Sequence, residues 1–158
     1  MPLPDVDEVE LVDERTSRAL MQLPEIDIIV YAGTGANRRF VSTHRNQVAG
    51  VAKECTLVFA IANPHIVPQF ATVEWTVRNK GLDADAFSDL GHRTMGMRLL
   101  QSEERTRYLG THHMDCIVRV NGQVYAARRV PVTIRDVQHH VQAPAKPSYT
   151  RLRMKRRR

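Results

Sequence analysis

Residues 108–134 read YLGTHHMDCIVRVNGQVYAARRVPVTI. Two β-rich runs flank Asn121-Gly122. Asn-Gly between apolar runs is a strong hairpin signal, because both residues tolerate positive φ. The stretch therefore predicts an antiparallel strand pair closed by a tight turn. It also carries His112, His113, Arg128 and Arg129, polar groups that a strand pair does not need for its own stability. A stiff sheet with imidazole and cationic groups near its ends points to a binding site on a β-scaffold.

Working outward, residues 71–81 read ATVEWTVRNKG. Val73, Trp75 and Val77 face one way, and Thr72, Glu74, Thr76 and Arg78 the other, as in a half-buried antiparallel strand. IDIIVYA from Ile26, RRFVST from Arg38 and CTLVFAIA from Cys55 read as further strands. TMGMRLL alternates through Met95, Met97 and Leu99. GTGAN from Gly33 is a turn, not a phosphate loop, because no Lys-Ser/Thr follows and no helical pattern opens after it. About six or seven short strands with regular turn signals predict an all-β fold, an immunoglobulin-like antiparallel β-sandwich, over residues 25–137.

Residues 1–24 read as a separate arm. Asp5, Asp7, Glu8 and Glu10 suit the positive end of a helix. Val9, Val12, Thr16, Ala19, Leu20 and Leu23 then recur at helical spacing until Pro24. The stripe of this amphipathic helix must be buried, either on its own sheet or on another chain, which makes a homo-oligomer one expectation. Residues 138–158 read as a basic tail. The whole chain carries a net charge of +6, and Arg151, Arg153, Lys155, Arg156, Arg157 and Arg158 supply six charges, so residues 1–150 carry 6 − 6 = 0. Attraction to nucleic acid is thus expected mainly from the tail, weakly and without sequence preference.

No apolar run approaches the ~18 residues of a membrane helix. The acidic N-terminus lacks an apolar leader, which predicts a cytoplasmic protein without a membrane partner. Cys55 and Cys116 both lie in apolar strand-like runs, as buried free thiols do in a reducing compartment. His113 and Asp115 share one strand face while His112 faces the other, so this cluster offers two ligands and argues against a metal site.

Residues 73–134 resemble the adenylyl/guanylyl and SMODS C-terminal sensor domain, AGS-C. The resemblance is carried by Trp75, Val77, Asn79, Gly81 and Ala84, then Tyr108, Gly110 and His112, then Cys116–Val120, Asn121-Gly122, Val132 and Ile134. Leu90-Gly91-His92-Arg93 departs from the family order. The resemblance implies a sensor module for a cyclic di- or oligonucleotide second messenger in bacterial antiphage defence. It implies a cyclic nucleotide ligand and an effector or synthase protein as partners. No Gly-Ser with paired aspartates for nucleotidyl transfer is present, so the module is expected to be non-enzymatic and to need no cofactor or metal.

Within that expectation each residue has a task. Trp75 lies on the apolar face and reads as core. Tyr108 offers an aromatic face for a base, or else a hydroxyl that pins a loop. His112 donates to a phosphate or base edge, or else is a hydrogen-bonded structural residue. Arg128 or Arg93 neutralises phosphate, and Asn79 or main-chain groups read a base edge, or else Asn79 builds a turn with Gly81. One of Arg128 and Arg129 must face inward, where it needs an anion: a phosphodiester, Asp115 or Glu74. Two other readings compete. One is an adaptor that assembles through the acidic helix and the basic tail. The other is a nucleic-acid binder acting through residues 151–158.

Overall fold

The computed structural model describes residues 23–80 and 91–138. The expected N-terminal helix, the basic tail, and Gly81, Ala84 and Leu90 lie outside the described residues. Among the described residues there are nine strands: β1 (Ile26–Ala32), β2 (Arg39–Arg45), β3 (Val48–Val51), β4 (Cys55–Ile61), β5 (Thr72–Arg78), β6 (Arg93–Met97), β7 (Gln101–Arg105), β8 (Gly110–Val120) and β9 (Gln123–Ile134). They form a four-stranded sheet in the order β2-β1-β4-β7 and a five-stranded sheet in the order β3-β9-β8-β5-β6. Every pairing is antiparallel except β3 with β9.

The hairpin forms as its turn chemistry requires. Asn121 and Gly122 have φ of 53° and 77°, the left-handed pair of a type I′ turn. Met114 then pairs with Val130, and Cys116 with Arg128. GTGAN is a turn that tightens into one 3-10 turn over Gly35–Asn37.

The core lies between the sheets. Ile28, Val30, Leu57 and Phe59 from one sheet meet Val73, Trp75, Cys116 and Val130 from the other. Trp75 is 1% exposed, its ring centre 6.4 Å from that of Phe59. Its indole N–H donates to the Leu99 carbonyl at 2.8 Å, so the one polar atom of the ring is satisfied. Truncating such a side chain typically costs ~3–5 kcal/mol. Cys55 and Cys116 are buried free thiols, and burial raises both thiol pKa values.

The second face of the five-stranded sheet is a layer of charge. Glu74 is clamped by Arg93 at 2.9 Å and Arg119 at 3.0 Å. Asp115 is clamped by Arg129 at 2.8 Å and Arg78 at 3.2 Å. Both carboxylates are buried beneath the guanidinium groups. Ile117 and Ala127 form a small buried apolar cluster on the same face. Within this layer, the Thr76 hydroxyl and Arg78 Nη2 are buried without a hydrogen-bond partner among the described residues.

The segment entering β1 is held by side chains from three elements. Asn63 Nδ2 donates to the Leu23 carbonyl at 3.0 Å, and its Oδ1 accepts from the Glu25 N–H at 2.8 Å. Asn46 Oδ1 accepts from the Ile26 N–H at 2.8 Å. Arg128 Nε donates to the Pro24 carbonyl, and its Nη2 lies 3.5 Å from Glu25.

Candidate functional site

β7 explains why a cavity exists. It pairs with β4 so that Ser102 lies opposite Phe59 and Glu104 opposite Leu57. Directly paired residues share a face, so β7 turns Ser102 and Glu104 toward the sandwich interior. Polar groups do not close an apolar core. The space beneath β7 is instead a cavity of about 690 Å³, lined from both sheets.

Its apolar wall comes from Leu57, Phe59, Val77, Met114, Val132 and Ile134. Its polar wall includes Ser102, Glu104, Asn79, Tyr108 and the exposed Arg107 of the loop after β7. His92, just before β6, reaches across to β7, where Nε2 lies 2.6 Å from Glu104 Oε1. The cavity thus pairs an apolar surface suited to a flat ring with charged groups at its margin. Its volume falls within the ~300–1,000 Å³ of small-molecule sites.

Of the residues singled out from sequence, Asn79, Tyr108 and His112 meet here. His112 is 5% exposed, and both its ring nitrogens are engaged. Nδ1 accepts from the Lys80 N–H at 2.9 Å, and Nε2 donates to the Tyr108 carbonyl at 2.7 Å. This is the structural alternative: His112 ties the Tyr108 loop to the end of β5 and has no N–H left for a phosphate.

Arg93 and Arg128 do not reach the cavity. Arg93 belongs to the charge layer on the far face of the sheet, on Glu74. Arg128 does face inward, but its partners are the Pro24 carbonyl and Glu25, and Arg129 takes Asp115. The need for an anion is met within the chain. His113 alternates to the charge-layer face beside Asp115. Burial lowers its pKa below the ordinary 6.5, and Arg129 and Lys80 push the same way. Among the described residues no group of three His, Cys, Asp or Glu side chains is placed to hold a metal ion. Nor is any described helix long and apolar enough to cross a membrane.

Glu104, His92 and Arg107 line the cavity but were not among the candidates singled out from sequence. β7 is polar on both faces, so no hydrophobic period marks it as a strand. The available signal was the run of charge immediately before Tyr108.

Comparison with known proteins bears on this arrangement. A family model described as the adenylyl/guanylyl and SMODS C-terminal sensor domain matches residues 11–135. The chain belongs to that family. A curated relative, a cyclic GMP-AMP synthase from Escherichia albertii, is 28% identical over 119 residues. The match covers 75% of this chain and 26% of the synthase, so the chain spans about a quarter of that relative's length. Among solved structures, the extracellular domain of a hybrid two-component system protein from B. thetaiotaomicron aligns over 77% of this chain and 16% of that one. Its TM-score is 0.43 at 10% identity, too low to bear on fold or function. The AGS-C match takes in all nine strands and every cavity residue named above.

Proposed function

We propose that this AGS-C chain is a non-enzymatic sensor module that binds a cyclic di- or oligonucleotide second messenger in bacterial antiphage defence. The observation that carries the reading is the cavity of about 690 Å³ between the two sheets, with its apolar wall and its charged margin. A base enters against Leu57, Phe59 and Met114, and Tyr108 supplies an aromatic face. Asn79 stands where it reads a base edge. Phosphates meet Arg107 at the margin of the cavity, which takes the role first expected of Arg93 and Arg128. His112 contributes by holding the Tyr108 loop. We also read the sandwich as immunoglobulin-like. The buried Trp75 on a central strand, packed under the opposite sheet, and the parallel β3–β9 edge on an otherwise antiparallel sheet support that assignment.

The protein partner in this reading is a cyclic-oligonucleotide synthase or an effector, in the cytoplasm. The matching stretch of the relative is part of a cyclic GMP-AMP synthase, which suits a module that works beside such an enzyme. Isothermal titration of the full chain against cyclic di-GMP, cyclic di-AMP, cyclic GMP-AMP and a cyclic trinucleotide tests the proposal. Heat from at least one, weakened in an Arg107→Ala variant that still folds, supports it. Silence from all four at high micromolar protein overturns it.

A further inference from the structure

Among the described residues, β6 is the last strand on its side of the five-stranded sheet. Its hydrogen bonds to β5 have a fixed phase. The Val77 N–H donates to the His92 carbonyl at 2.8 Å just before the strand, and the Arg98 N–H donates to the Ala71 carbonyl at 2.9 Å just after it. In an antiparallel ladder, bonded pairs alternate with unbonded ones. Within β6 the bonded residues are therefore Thr94, opposite Trp75, and Gly96, opposite Val73. Met95 and Met97 fall in the unbonded pairs, so their N–H and C=O groups point away from β5, toward the open edge.

The other sheet edges are guarded. β3 has four residues, β2 carries Arg39, Arg45 and a bulge in its pairing, and β7 carries Glu103, Glu104 and Arg105. Short length, charge and bulges are the usual protections of an edge. β6 has no Lys, no Pro and no bulge in its register. Its one charge, Arg93, is matched to Glu74 at 2.9 Å. Beside Arg93 on the same face, Met95 is 48% exposed and Met97 72%.

The strand also complements itself. In antiparallel pairing about a two-fold axis at Met95, that residue meets Met95 of the second copy, Arg93 meets Met97, and Thr94 meets Gly96. No cation faces a cation, and on the other face a side chain stands opposite a glycine. We infer that two copies of this chain pair through β6 and continue the five-stranded sheet across the dimer. Thr94 also lines the cavity, so β6 is both a cavity wall and the dimer edge. The inference stands on the edge alone and does not depend on what the cavity binds.

Light scattering of the full chain over a concentration series tests it, and a dimer that dissociates on dilution is expected. Met95→Pro removes an N–H that β5 does not use, so the fold is retained while dimer affinity falls at least ~tenfold. Met95→Lys sets two cations face to face at the axis, and is the second variant should the proline unsettle β6 itself. Cysteine reads the register, because native Cys55 and Cys116 are buried. Met95→Cys, at the axis, is expected to form a covalent dimer under mild oxidation. Met97→Cys is not, since its two copies lie at opposite ends of the ladder. A native chain that stays monomeric at high micromolar concentration overturns the inference and leaves the edge to a different protein. So does a dimer of unchanged affinity in a folded Met95→Lys chain, because the copies then meet elsewhere. Equal cross-linking of the two cysteine variants overturns the two-fold pairing.

Discussion

His112 Nε2 donates to the Tyr108 carbonyl at 2.7 Å, across the loop between β7 and β8. With Nδ1 taken by the Lys80 N–H, the imidazole is a bracket between two backbone segments that border the cavity. His112→Ala leaves a backbone donor and a backbone acceptor without their partner. The expected loss is about 1–3 kcal/mol of stability. Ligand affinity falls as well, because Tyr108 is no longer held. Urea unfolding of the variant checks the first loss and calorimetry the second; an unchanged unfolding midpoint would contradict the bracket.

The charge layer gives a contrast between its two carboxylate clusters, around Glu74 and around Asp115. Arg93 serves Glu74 on the face away from the cavity, so Arg93→Ala is expected to destabilise the fold by about 1–3 kcal/mol without altering ligand affinity. Asp115→Asn removes the carboxylate that two guanidinium groups share, and the expected loss is larger, about 3–5 kcal/mol. Urea unfolding checks both. A change in cyclic-nucleotide affinity in a folded Arg93→Ala chain would mean that the layer and the cavity are connected.

Gly91 has φ of +128°, and a Cβ there would lie 1.8 Å from the Val77 carbonyl oxygen. Backbone, not a yielding side chain, blocks that space. Gly91→Ala must push the start of β6 off β5 and carry His92 away from Glu104. Left-handed strain alone typically costs ~1–3 kcal/mol, and the clash adds to it. A thermal melt is expected to show a lowered midpoint, and a midpoint equal to that of the native chain would contradict the close approach.

The fold was legible where burial leaves a period. β1, β4, β5 and the β8–β9 pair carry apolar residues on their inner faces, and each was read as a strand at nearly its observed bounds. β3 is only Val48–Val51, too short to show a pattern. β7 was hidden for the reason that makes it interesting. Its inner face lines a cavity and carries Ser102 and Glu104 in place of apolar side chains. Asn79, Tyr108 and His112, singled out from the sequence, border the cavity, whereas Glu104 and Arg107 sit in a polar stretch that carries no strand signal. Arg93 and Arg128 misled because alternation tells which way a side chain points, but not which carboxylates or carbonyls already wait there.

His113 makes a prediction about pH. Its side chain lies on the charge-layer face, near Arg129 and Lys80, with Asp115 pulling the other way. Burial first, and then those two cations, hold its pKa below the ordinary 6.5, so the native state keeps the ring neutral when the unfolded chain would protonate it. Between that depressed native value and 6.5 the unfolded state binds more protons, so stability rises with pH through this window and is lost on acidification. A His113→Gln chain cannot take up the proton in either state. Urea midpoints measured from about pH 7.5 down to about pH 5.5 are therefore expected to fall more steeply for the native chain than for the variant. Parallel slopes would place His113 in water, outside the influence of the arginine layer.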